Sequence, residues 1–165
     1  MTAMQAATEE AVTPEEQEVG FARMLLATEG RAIPDAAIAR MAELADSSGA
    51  TARVLSIARV HGVAFALPSP GLLPTKAEMT AQREIVASAI KRLKRKGIPA
   101  TGHIIGTRKA AARICEEATR QECQAIVMAA DPDRRRLLGD MLWTQEPQRV
   151  KRRAKVPVFL VEAGD

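Results

Sequence analysis

The sequence predicts an α/β fold: a doubly wound, five-stranded parallel sheet in the strand order 3-2-1-4-5, with helices on both faces. Three observations carry the prediction. Short and nearly continuous apolar runs, such as Val54-Leu55-Ser56-Ile57 and Ala125-Ile126-Val127-Met128, suit strands covered on both faces. Between them lie stretches whose apolar residues recur at helical spacing. The resulting order β-α-β-α-β-α-β-loop-α-β requires parallel pairing with right-handed crossovers.

Ala22–Ala27 is the first strand, and Thr28-Glu29-Gly30 follows as its loop. Pro34 suits a first helical turn, Ile38, Met41, Ala42 and Ala45 mark one helical face, and Gly49 supplies a stop. Strand 2 covers Arg53–Val60. Three prolines and two glycines in the stretch from His61 through Pro74 resist regular structure and predict the longest internal loop. Thr75-Lys76-Ala77-Glu78 has the form of a capping box and opens helix 2, which runs through Met79, Val86, Ala89, Ile90 and Leu93 to Gly97. Strand 3 is expected over Ala100–Ile105. Helix 3 carries Ala111, Ile114, Cys115 and Ala118 on its core face, and strand 4 covers Ala125–Ala130. A last short helix around Gln145–Ala154 leads into strand 5, Val156–Val161.

Composition narrows the function classes. The chain has 165 residues, enough for one core of ordinary size, and only 2% of them are aromatic, so stacking platforms for bases or sugars are scarce. No apolar run approaches the ~18 residues that cross a bilayer, and the N-terminus has acids where a signal peptide would be basic, which predicts a cytoplasmic protein with no membrane partner. Residues 1–20 hold five Glu and no Lys or Arg. They are expected to form an acidic tail, with residues 21–165 as the domain. Cys115 and Cys123 would lie roughly 12 Å apart along a helix rising about 1.5 Å per residue, too far for a disulfide. With only His61 and His103 in the chain, no zinc-ligand spacing arises.

In open parallel sheets the ligand crevice lies beyond the carboxyl ends of the strands, where neighbouring crossovers diverge. For the order 3-2-1-4-5 that point falls between strands 1 and 4. The segments 27–31 and 129–139, with the start of the last helix near Thr144, are expected to line it.

Three segments, Arg23-Met-Leu-Leu-Ala-Thr-Glu-Gly30, Cys123-Gln-Ala-Ile-Val-Met-Ala129 and Val150-Lys-Arg-Arg-Ala-Lys-Val-Pro-Val-Phe-Leu-Val161, give the chain a pattern that resembles the universal stress protein family over roughly residues 21–162. The resemblance implies a homodimer paired through strand 5 (Val156 to Val161), cytoplasmic location and, in one branch, ATP binding. That branch has G-x2-G-x9-G-(S/T) after strand 4, where glycines let backbone amides approach phosphates at a helix N-terminus. Here Ala129 and Pro132 stand at the first two glycine positions, and Thr144-Gln145 stands where the family has Gly-Ser. Gly139 is a candidate for a displaced glycine. Pro132 and Pro147 each remove an N–H, and Glu29 replaces the Asp usual after strand 1.

The candidate nucleotide-contacting residues are therefore Ala27, Thr28, Glu29, Gly30, Met128, Ala129, Arg134, Gly139, Thr144 and Gln145. Arg134, with Arg135 and Arg136, offers guanidinium groups in place of an amide nest; a solvated turn is the plainer reading of the same residues. The basic runs Lys91–Lys96 and Arg149–Lys155 end helices, where cations complement the helix dipole, and they lack interleaved aromatics, which weighs against nucleic acid. His103 reads as a strand residue with a local hydrogen bond. Ser56, His61 and Glu29 make a conceivable nucleophile, base and orienter without any supporting local motif. There is no G-x-x-x-x-G-K-(S/T), and the acidic pair of a receiver domain is missing.

These readings lead to a non-enzymatic stress-response or regulatory interaction module with a degenerate nucleotide site and no obligatory cofactor. The alternative is a sensor that binds ATP, cyclic AMP or another adenine nucleotide between strands 1 and 4. Slow ATP hydrolysis is a third reading, for which no positioned base is found. The apolar edge Val158-Phe159-Leu160-Val161 itself calls for a partner strand, as the dimer would supply.

Overall fold

A computed structural model describes residues 20–60, 74–131 and 145–162. Its elements are β1 (Arg23–Thr28), α1 (Asp35–Leu44), β2 (Thr51–Arg59), α2 (Lys76–Arg95), β3 (Ala100–Thr107), α3 (Ala110–Arg120), β4 (Ala125–Ala130), α4 (Glu146–Arg153) and β5 (Val158–Glu162). The strands form one five-stranded sheet in the order β3-β2-β1-β4-β5. All pairings are parallel, with Leu26 opposite both Val54 and Val127 at the centre.

Every residue of β1 after Arg23 is buried, because the alternating side chains of the strand enter two different cores. Met24 and Leu26 join α1 and α2 residues such as Met41, Val86 and Leu93 on one face. Leu25 and Ala27 join Ile114 and Val150 from α3 and α4 on the other. The edge strands are less covered: Val158–Val161 are half-buried, and β3 exposes Thr101, Gly102 and Gly106. Phe159 still gains local packing, with the Phe21 ring centroid 5.9 Å away and the Arg40 guanidinium 5.2 Å above its face.

Helix boundaries follow local chemistry. The Thr75 hydroxyl accepts from the Glu78 amide at 3.1 Å, the N-terminal cap that the Thr-x-x-Glu spacing predicts. At the other end of α2, Gly97 takes φ +79° and donates to the Lys94 carbonyl, while the Ile98 amide donates to that of Leu93. This Schellman-type end consumes the final carbonyls of the helix. On the same face of the sheet, α1 ends at Leu44, short of Gly49, because the Phe21 amide takes the Leu44 carbonyl at 2.8 Å and Phe21 bridges to Ala45. Pro34 is the residue before α1 rather than inside its first turn.

The strands differ slightly from the sequence reading. β1 and β2 are displaced by one or two residues, β3 extends to Thr107, and β4 coincides with Ala125–Ala130. β5 starts at Val158 rather than Val156, since Pro157 has no N–H for the ladder and contributes only its carbonyl, to the Ile126 amide at 2.9 Å. The loop of residues 62–74 and the acidic N-terminal segment lie, but for Gly20 and Pro74, outside the described residues.

Close contact between α2 and the sheet depends on Gly102 of β3. A Cβ there would stand 2.5 Å from Val86 Cγ1 and 2.9 Å from the Val54 carbonyl oxygen. Gly102→Ala is expected to destabilise the fold by about 1–3 kcal/mol through overpacking. Urea denaturation checks this, and an unchanged midpoint would refute the close packing of α2.

Candidate functional site

β1 and β4 are neighbours whose connections diverge: α1 follows β1 on one face, whereas α3 precedes β4 on the other. Their carboxyl ends therefore form the topological switch point at which such sheets place a ligand. The chain leaves β1 through a tight turn. Thr28 Oγ1 donates to the Arg31 carbonyl at 2.7 Å and accepts from the Gly30 amide at 3.3 Å. Gly30 has φ +113°, a conformation other residues adopt only with strain.

This turn drives Glu29 inward until it is 1% exposed, and sends Arg31 across to β4. Arg31 Nη1 donates to Asp131 Oδ1 at 2.7 Å, and Nη2 donates to the Ala129 carbonyl at 3.3 Å. Nη2 also lies 2.5 Å from Glu29 Oε1. That last contact is ionic without hydrogen-bond geometry, for Glu29 Oε1 and Arg31 Nε are both buried without a hydrogen-bond partner. The guanidinium thus spans the ends of both central strands.

Burial raises the pKa of Glu29, and the positive charges of Arg31 and Arg59, with a backbone hydrogen bond, pull against that rise. Arg59, at the end of β2, also feels the charges of Glu146 and Glu78, so the described cations and acids of this edge form one electrostatic group. Behind the turn, Gln82 of α2 donates Nε2 to the Gly30 carbonyl at 3.1 Å while its Oε1 accepts from the buried Ser56 hydroxyl. Ser56 is thereby tied to Gln82. His61, its imagined base, lies outside the described residues.

The first turn of α4 contributes differently. Glu146 Oε2 accepts from the Ala111 amide at 3.1 Å, capping α3 from another helix, and Oε1 pairs with Arg149 at 2.7 Å. Gln145 precedes α4 without capping it, and its Oε1 accepts from Arg149 at 3.1 Å.

Of the candidate residues, the structure groups Ala27, Thr28, Glu29, Gly30, Met128 and Ala129 at the ends of β1 and β4, with Ala27 directly opposite Met128. Gln145 stands at the start of α4. Arg134, Gly139 and Thr144, together with Pro132, Arg135 and Arg136, lie outside the described residues. Sequence reasoning placed Arg31 in the lining segment 27–31 without giving it a role, and missed Gln82. The signal for Gln82 is a polar residue in register with Val86, Ala89 and Leu93 on the buried stripe of α2. His103 Nε2 faces the buried Glu117 at 3.3 Å, also without hydrogen-bond geometry, so among the described residues this nitrogen makes no hydrogen bond. Both cysteines are free thiols, and burial pushes Cys123 up to about 11.

A doubly wound parallel sheet with its switch point between β1 and β4 defines the class of fold, an open α/β domain. Residues 20–162 match the model of the universal stress protein family, and the chain belongs to that family. Solved structures agree on the fold. A universal stress protein from Archaeoglobus fulgidus is 16% identical with a TM-score of 0.62, the match covering 86% of this chain and 93% of that one. The Archaeoglobus fulgidus universal stress protein in complex with dAMP is 18% identical with a TM-score of 0.60, over 84% of this chain and 95% of that one. A universal stress protein in complex with cAMP is 19% identical with a TM-score of 0.58, over 88% and 99% respectively. Among curated protein sequences, none matches the chain significantly.

Arg31→Met removes the cation nearest a carboxylate that is almost wholly buried. A folded-state pKa above the ordinary 4.5 means that Glu29's contribution to stability is fullest below that value and is lost as pH rises through the folded pKa. Without Arg31 that loss deepens. The variant is expected to be less stable than the parent by about 3 kcal/mol at neutral pH, with the gap narrowing toward pH 4, and Glu29→Gln in the same background should recover most of it. Denaturant titrations at several pH values test this; a gap independent of pH would refute the ionic role of Arg31.

Proposed function

We propose that this universal stress protein acts in the cytoplasm as a non-enzymatic regulatory interaction module whose nucleotide crevice is filled by its own side chain. The observation that carries the reading is the Arg31 guanidinium, held between Glu29, Asp131 and the Ala129 carbonyl at the ends of β1 and β4. A cation already satisfied by two carboxylates has little charge left for a phosphate. The sequence of the loop supports the same reading, since Ala129 and Pro132 take the place of two glycines.

Adenine-nucleotide binding is the second reading, favoured by the dAMP and cAMP complexes of structurally similar universal stress proteins. It would use Thr28, Glu29, Gly30, Ala129 and Gln145 with Arg134, Gly139 and Thr144, and would require Arg31 to exchange an acidic partner for a phosphate. Mass spectrometry of ligand released from freshly purified, denatured protein separates the two. The first reading expects no stoichiometric nucleotide, and no calorimetric saturation with ATP or cyclic AMP. Stoichiometric adenine nucleotide would overturn it in favour of the second.

The interaction surface proposed here is a homodimer through β5, whose Val158, Phe159, Leu160 and Val161 are half-buried at the edge of the sheet. A second copy would extend the sheet and cover this edge. Sedimentation equilibrium at micromolar concentration is expected to give twice the 17.8 kDa chain mass, and a monomeric mass would refute the dimer.

A further inference from the structure

The opposite edge of the sheet carries a second concavity, of about 520 Å³, where β1, β2 and β3 begin and α2 ends. Met24, Ala52, Pro99 and Ala100 supply apolar walls, and Arg23, Arg53 and Lys94 stand around it. Among the described residues, no acidic one lines it. Arg23 is paired with Glu122 at 3.5 Å on the exposed rim. Arg53 is different: Nη1 donates to the Thr101 hydroxyl at 3.0 Å, but Nε is buried and has no acceptor. Among the described residues, neither Arg53 nor Lys94 has an ion-pair partner. Two cations that no described carboxylate neutralises, standing around one concavity, favour an anion there.

The surroundings leave room for an anion rather than supplying one. The C-terminus of α2 would ordinarily bring free carbonyls here, yet those of Arg92, Leu93 and Lys94 accept from Lys96, Gly97 and Ile98. Cys123 also lines the wall, and its thiol, pushed up to about 11, stays protonated at neutral pH and adds no negative charge. The volume exceeds what a bare inorganic anion fills, and the apolar walls would be wasted on one. Among the described residues the lining holds no aromatic side chain, so they offer none of the stacking that a nucleobase would use.

We infer that this concavity binds a compact organic anion, a carboxylate or phosphate monoester with an apolar body, whose head group meets Arg53 and Lys94 while the body lies against Met24, Ala52, Pro99 and Ala100. The site is independent of the Arg31 crevice at the other end of the strands.

The test titrates the full-length chain with phenyl phosphate and with benzoate, using benzyl alcohol as the neutral control, by calorimetry and by amide chemical shifts. At least one anion is expected to saturate at one per chain, shifting the Ala52, Ala100 and Thr101 amides, with affinity falling as salt is added. Whichever binds more tightly fixes the head group. Arg53→Met should weaken binding by about tenfold or more, and Lys94→Ala, at an exposed position that folding does not depend on, by about threefold. Absence of saturation by both anions would overturn the inference. So would equal binding of benzyl alcohol, shifts at Gly30 and Asp131 instead, or unchanged affinity in Lys94→Ala.

Discussion

The central pair of strands, β1 and β4, is covered on both faces, and this two-sided burial decides where polar chemistry can sit. Between Met24 and Ala27, and between Ala125 and Met128, no polar side chain is admitted. A parallel sheet enclosed this way satisfies its backbone internally and pushes every charge to the strand ends. The first residue after β1 is nevertheless Glu29, 1% exposed. A carboxylate so placed must be compensated, and the compensation comes from two residues further along the same turn. Thr28 and Gly30 fix the geometry that lets Arg31 do this, and Gln82 holds the Gly30 carbonyl from behind. Strand end, turn and α2 are thus coupled through one buried charge.

The two edges of the sheet are electrostatically unlike. At the carboxyl edge, Glu29, Asp131 and Glu146 balance Arg31, Arg59 and Arg149. At the amino edge the last turns of α2 and α4 bring Arg92, Lys94, Arg95, Lys151, Arg152 and Arg153, while the strand starts bring Arg23 and Arg53. This follows from topology. In a parallel α/β domain every helix ends beside the beginnings of the strands, and cations collect at helix C-termini. Some of that charge is answered locally, as Arg92 is by Asp35 and the Ile33 carbonyl, and Arg120 by Glu117.

Patterns that depend on neighbours in sequence were legible before the structure. Continuous apolar runs gave β2 and β4, the Thr-x-x-Glu spacing gave the start of α2, and Gly97 its end. Features that depend on neighbours in space were not. The end of α1 is set by Phe21, more than twenty residues away, and no local signal at Ala45 announces it. Gln82 and Ser56 meet across 26 residues and read separately as a helix polar residue and a strand serine. Arg31 falls in the segment 27–31 expected at the strand ends, but an arginine in a loop ordinarily reads as solvated. Its partner Asp131 lies 100 residues on, and only the β1/β4 pairing brings them together.

An anion site built from backbone needs N–H groups that the fold itself leaves unclaimed. Among the described residues near this switch point, the Gly30 amide is claimed by the Thr28 hydroxyl, the Ala111 amide at the start of α3 by Glu146, and two nitrogens of Arg31 by Asp131 and Ala129. The substitutions in sequence act in the same direction, because Pro132 and Pro147 carry no N–H and Ala129 brings a Cβ where a glycine would let a phosphate approach. Glu29 adds a constraint of its own: once the carboxylate is buried, the residue that compensates it must be a cation held in place rather than a mobile ligand.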